Sequence, residues 1–180
     1  MKAIVCKEFG PPSKLVLEDM EPLSPKKNEI LIDIHAAGVN FPDTLIIKDM
    51  YQFKPALPFT PGNEVAGVVS AVGEGVTTYS IGDEVIAMPT FGGYAEQIIV
   101  SPNQASKKPV NMDFTTAACF STTYGTSHYG LKDKAQLKAG ETVLILGASG
   151  GVGISAIEIA KAMGAKVIAA ASTDEKLAVC

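Results

Sequence analysis

Hydrophobic and polar positions follow two different rhythms along the chain, and the change of rhythm divides it. Up to Asn111 the apolar runs are short and closely punctuated by glycine and proline. Lys2–Cys6 and Leu15–Asp19 read as strands separated by Gly10-Pro11-Pro12, a turn signal. Glu29–His35 alternates, with Ile30, Ile32 and Ile34 on one face and Asp33 and His35 on the other. Glu64–Val72 and Glu84–Met88 are valine- and isoleucine-rich runs bounded by Gly62, Gly73, Gly75 and Gly82, and Tyr94–Val100 follows the Gly92-Gly93 turn. Short strands at this spacing predict a compact barrel or sandwich, with Asp43–Asp49 forming a helical turn or two between them.

Beyond Asn111 the rhythm becomes helical. Asp113–Lys134 predicts helix, interrupted at Gly125 and Gly130. A strand (Thr142–Leu146), a helix (Gly151–Met163), a stop at Gly164 and a second strand (Lys166–Ala171) follow. In that helix Ile154, Ala156, Ile157, Ile159 and Ala160 fall at helical spacing, while Glu158 and Lys161 face away.

Between the first strand and the helix stands Ala148-Ser149-Gly150-Gly151-Val152-Gly153. It departs from strict G-x-G-x-x-G in having Ala148 first. Gly150 lets the backbone approach a pyrophosphate, and Gly153 lets the helix pack tightly on the strand. Strand, glycine turn and helix together open a Rossmann βαβ unit, in which amides at a helix N-terminus receive phosphate. Any strand–turn–helix tolerates glycine, so it is the context that makes this turn a dinucleotide site. Only residues 154–180 follow it, too few for a six-stranded dinucleotide-binding sheet, so the sheet is expected to be incomplete.

The end of the second strand bears on which cofactor fits. An acid there holds the ribose 2′-hydroxyl of NAD and repels the 2′-phosphate of NADP. This strand ends Ala170-Ala171-Ser172-Thr173, with no acid in that place. Ser172-Thr173-Asp174-Glu175 reads as a capping box opening another helix. Ser172 and Lys176 can then offer a hydroxyl and an ammonium to a 2′-phosphate, although Lys176 reads equally as a solvated surface lysine. The missing acid favours NADPH.

Charge and composition narrow the partners. The net charge is −4 and all 15 basic residues are lysine, which argues against nucleic acid, where arginine carries most bidentate recognition. No apolar run approaches the ~18–20 residues of a membrane helix, and Lys7 and Glu8 stand where a signal peptide would be apolar. Cys6, Cys119 and Cys180 are odd in number and widely spaced, as free thiols of a cytoplasmic protein are expected to be.

Three further stretches carry a resemblance: Ala37-Gly38-Val39-Asn40-Phe41-Pro42-Asp43, Pro61-Gly62-Asn63-Glu64-Val65-Ala66-Gly67-Val68-Val69, and Val72-Gly73 running on to Gly82-Asp83-Glu84-Val85. With the glycine turn they resemble the medium-chain dehydrogenase/reductase superfamily over essentially all 180 residues. The nearest branch is the zinc-independent NADPH:quinone oxidoreductases, the zeta-crystallin-like group. The resemblance implies a mixed α/β fold: a GroES-like β-barrel domain on the substrate and catalytic side (residues 1–120), then the first part of a Rossmann doubly wound parallel sheet binding NADPH (residues 121–180). Zinc-dependent members place a cysteine and a histidine where this chain has Asn40 and Asn63, and neither amide suits zinc. The four-cysteine lobe after the G-D-x-V motif is absent too, so no metal site is expected.

Without zinc there is no Lewis acid to polarise an alcohol, so the implied reaction is hydride transfer from NADPH to a quinone or other α,β-unsaturated carbonyl. The resemblance places Asn40 near nicotinamide and substrate, with Asp43 in the same turn, and makes Tyr51 a candidate to line the substrate cleft. Thr126 matches a residue on the nicotinamide side. Gly150, Gly151, Val152, Ser172 and Lys176 match phosphate-contacting positions, with Ser149 in the same turn. Asp43 has a structural rival role as a helix N-cap, and Tyr51 as a loop aromatic covering the barrel. Leu45 stands where several relatives have a cofactor-contacting tyrosine.

Two rival functions stay open. One is a 2-enoyl-thioester reductase, for which Lys48 and Lys54 would form a basic entrance. The other is a non-catalytic binding or structural module with a vestigial nucleotide turn. A family enzyme is roughly twice as long, so this chain is expected to be an N-terminal fragment with little activity of its own and a homodimer only at full length.

Overall fold

The computed structural model describes residues 1–180. The chain forms two compact units, Met1–Cys119 and Phe120–Cys180. In the first, β1 (Lys2–Val5) and β2 (Val16–Asp19) pair antiparallel. β3 (Ile30–Ala37), β4 (Val65–Val72), β5 (Glu84–Ala87), β6 (Gln97–Val100) and β7 (Ala105–Lys107) form a five-stranded antiparallel sheet in the order β6-β3-β4-β5-β7. Two short helices complete the unit, α1 (Phe41–Ile46) and α2 (Phe114–Ala117).

The alternating pattern of β3 does what its period requires. Ile30 and Ile32 are fully buried with Val65, Val69, Val85, Ala87, Ile98 and Val100, Ile34 packs against that cluster, and His35 is exposed. A shift in register with β4 between Leu31 and Ile32 interrupts the strict alternation, and Leu31 is buried as well. The strand expected over Tyr94–Val100 begins only at Gln97. The preceding segment is nevertheless tied down: Ala95 bridges Ala3, and Ile4 N donates to Tyr94 O at 2.8 Å. The three-residue β7 carries no pattern of its own, and its pairing with β5 makes it a strand.

The second unit contains α3 (Thr126–His128), β8 (Thr142–Leu146), α4 (Gly151–Ala162), β9 (Lys166–Ala170) and α5 (Asp174–Leu177). β8 and β9 pair in parallel, Thr142 with Lys166 through Leu146 with Ala170, as the predicted βαβ requires. Ile145, Ala148 and Ile157 are buried between sheet and α4, with Val143, Ala156, Val167 and Ala169 packed around them. Side chains on the other sheet face, Leu144, Leu146 and Ile168, are 57%, 75% and 55% exposed. The helix expected over Asp113–Lys134 is broken. α2 stops at Ala117, and α3 lies between two π-helical segments, Ser121–Gly125 and Tyr129–Lys134.

Candidate active site

In the first unit the loop after β3 and the loop before β4 bring four polar residues together. Asn40 caps α1 and forms a capping box with Asp43, whose Oδ2 accepts from the Asn40 backbone N–H at 2.8 Å. Asp43 is therefore not the N-cap weighed from the sequence but the third helical residue. Pro42 at the start of the helix moves the boundary back to Asn40. The Asn40 side-chain amide donates to Asn63 Oδ1 and to Glu64 Oε2, each at 3.2 Å. Glu64 is fully buried, and Asp43 is 6% exposed.

Tyr94 joins this network from the opposite strand segment. Its hydroxyl donates to Asp43 Oδ2 at 2.7 Å, so one carboxylate oxygen receives both the phenol and the Asn40 amide. Burial, and then the hydrogen bond to Asp43, push the Tyr94 hydroxyl well above its ordinary value and keep it a donor. The Tyr94 ring also supports the Asn63 loop. Gly62 has φ +95°, and a Cβ there would lie 2.6 Å from Cδ1 of the ring. Backbone bonds from Gly92, Gly93 and Tyr94 to Thr60, Gly62 and Pro61 fasten the same loop. Tyr51, by contrast, packs against the apolar cluster of Cys6, Ile46, Ile47 and Phe59.

In the second unit the glycine turn has the geometry its sequence implies. The first bond within α4 runs from Ile154 N to Gly150 O at 2.8 Å, which leaves the amides of the first turn without carbonyl partners of their own helix. A Cβ on Gly153 would sit 2.5 Å from Gly147 O and 2.6 Å from Ala148 O, so only glycine lets the helix approach the strand this closely. Gly147, Ser149, Ala170, Ala171, Ser172 and Lys176 line a hollow of about 320 Å³. Lys176 Nζ donates to Ser172 Oγ at 3.1 Å. The cap of α5 is Thr173, whose Oγ1 accepts from Lys176 N at 3.3 Å, so the capping box expected from Ser172 does not form. That shift leaves the Ser172 hydroxyl in the hollow. Gly150, Gly151 and Val152 are exposed at the helix start, and Thr126 is exposed on α3, its hydroxyl donating to Thr122 O at 2.5 Å.

Residues 26–110 match the alcohol dehydrogenase GroES-like domain family. The quinone oxidoreductase of Homo sapiens is 42% identical over 177 residues, covering 97% of this chain and 54% of that protein. Mycobacterial Rv1454c, solved in complex with NADPH, superposes with a TM-score of 0.90 at 36% identity, over 99% of this chain and 55% of that one. The CurK enoyl reductase superposes at 0.86 and 35% identity, over 97% of this chain and 54% of that one. Residues 26–110 are thus similar to a GroES-like domain of the alcohol dehydrogenase type, and the chain as a whole is similar to these oxidoreductases. The chain spans about half the length of these relatives. No helix is long and apolar enough to cross a membrane.

Within that frame the structure brings Asn40 and Asp43 into one hydrogen-bonded group, and Ser149, Ser172 and Lys176 into one hollow. It adds residues that sequence reasoning did not single out: Tyr94 and Glu64 in the first unit and, packed beside the start of α4, Ser127 and Ser155, buried with their hydroxyls 2.8 Å apart, in the second. Tyr94 is 51 residues from Asp43, and nothing local signals the pairing. Ser155 carried a faint signal, a polar residue beside the apolar positions of α4.

Proposed function

We propose that this chain carries the NADPH-binding and acceptor-binding elements of a zinc-independent reductase acting on quinones or other α,β-unsaturated carbonyls. The observation that carries the reading is the hollow at the end of β9, where a lysine–serine pair occupies the place in which NAD-binding proteins put an acid. The groups present suit NADPH: open first-turn amides at Gly151 and Val152 for the pyrophosphate, brought close to the strand by the packing at Gly153, and an ammonium with a hydroxyl for the 2′-phosphate. Bound there, NADPH would supply a hydride to an electron-poor acceptor. Thr126 would meet the cofactor on its nicotinamide side.

In the first unit Asn40 orients the acceptor. Asp43 acts through it, fixing the Asn40 backbone while Tyr94 fixes Asp43. The amides at 40 and 63 donate to and accept from neighbours where zinc-dependent relatives need cysteine and histidine, which is why the reading is zinc-free. Tyr51 belongs to the wall of the acceptor site, held by packing. A cytoplasmic protein that dimerises at full length is the setting this reading implies.

The enoyl reductase likeness supports a second reading, reduction of a 2-enoyl thioester. One observation weighs against it. Lys54, a candidate for its basic entrance, is paired to Asp49 at 2.9 Å. NADPH consumption with benzoquinone and with crotonyl-CoA separates the readings. The quinone is expected to be the faster acceptor, preference for crotonyl-CoA would install the second reading, and consumption with neither would remove both.

A further inference from the structure

The π-helical segment Ser121–Gly125 shifts its own hydrogen bonding by one residue, and beside it α3 and α4 each place one buried hydroxyl, Ser127 and Ser155. Ser155 Oγ lies 3.0 Å from Thr123 O and 3.0 Å from Val152 O, and Ser127 Oγ donates to Val152 O at 2.8 Å. The two hydroxyls are 2.8 Å apart and both serines are buried, Ser155 to 1% exposure and Ser127 to 5%. On the surface side Tyr124 OH makes a short hydrogen bond to Glu158 Oε2 on α4. Nearer the glycine turn, a Cβ on Gly151 would meet Thr123 Cγ2 at 3.1 Å. Apart from the Ser155–Val152 contact within α4, these links join α3 and the π-helical segment before it to the first two turns of α4.

We propose that Ser127 and Ser155 are positioning residues for NADPH: their hydroxyl pair sets the distance and angle between Thr126 and the glycine turn. The proposal rests on reading this unit as an NADPH site. Its physical basis is that two polar hydrogens inside an apolar packing seam hold one relative placement, whereas alkyl contacts would permit sliding. Val152 is the pivot, because its carbonyl lies within hydrogen-bond distance of both hydroxyls while its own amide belongs to the open first turn. A cofactor that must reach the phosphate turn and Thr126 together depends on this spacing. A ligand that ends at the adenosine phosphates does not.

The test titrates the 180-residue chain and its Ser127→Ala and Ser155→Ala variants with NADPH and with adenosine 2′,5′-bisphosphate, which has no nicotinamide. Thermal unfolding is followed alongside. Each variant is expected to weaken NADPH by about five- to tenfold and to reduce the enhancement of nicotinamide fluorescence, while the bisphosphate changes less than about twofold. Ser127→Thr, which keeps the hydroxyl, should restore NADPH binding. Variants that melt earlier but bind both ligands as before would show a purely structural role and overturn the proposal. So would folded variants that lose both ligands in equal measure. If the unaltered chain binds neither ligand, the NADPH reading itself fails, a result distinct from either of those.

Discussion

The polar groups of the first unit are closed on one another, while those of the second are left open. Asn40, Asp43, Asn63, Glu64 and Tyr94 satisfy each other through four side-chain or capping hydrogen bonds, at or near full burial for Asp43 and Glu64. The glycine turn lies exposed at the start of α4, and the Ser172–Lys176 pair faces an open hollow. The difference separates two ways of preparing a site. A closed network fixes side-chain orientation before any ligand arrives, and breaking it costs stability. An open donor array costs the fold almost nothing, and its interactions form only with the ligand.

The largest effect that could break this contrast is on stability. Asp43→Ala removes the carboxylate that the half-buried Asn40 N–H and Tyr94 hydroxyl share and is expected to cost about 2–4 kcal/mol in denaturant unfolding. Lys176→Ala, which removes an exposed ammonium, should shift stability by less than ~0.5 kcal/mol. If the two variants proved equally stable, the closed network would not be holding the first unit together.

Much of this was legible from spacing. The period of two over Ile30, Ile32 and Ile34 identified β3 and its buried face, and Gly150 with Gly153 identified the turn and its helix. What was not legible has specific causes. Asp43 looked like a cap because Asp favours that position, yet Asn40-Phe41-Pro42-Asp43 reads better as a box with proline in its first turn. Ser172 lost the cap of α5 to its neighbour Thr173, a one-residue choice between two equally suitable hydroxyls. The π-helical turns flanking Thr126 leave no trace in composition, because they differ from α-helix only in a hydrogen bond that reaches one residue further. Tyr94 meets Asp43 only through the folding of the barrel.

A smaller effect sharpens the contrast at the edge of the first unit, where a carboxylate is hydrogen-bonded but exposed. Asp113 caps α2, and the Thr116 backbone N–H, then its hydroxyl, hold its carboxyl below the ordinary 3.8. Its contribution to stability is therefore complete above that ordinary value and drains away as pH falls through the lowered one. Asp113→Asn should lower stability slightly at neutral pH and flatten the acid limb, the two proteins converging in acid. An acid limb identical in the variant would contradict this.

The central claim is that the open hollow at the end of β9 recognises the 2′-phosphate of NADPH, and calorimetric titration of the 180-residue chain with NADPH and with NADH tests it most directly. NADPH is expected to bind at least about fivefold more tightly, and Lys176→Ala to erase that margin while leaving NADH unchanged. Equal affinity for the two cofactors, or tighter binding of NADH, would contradict it.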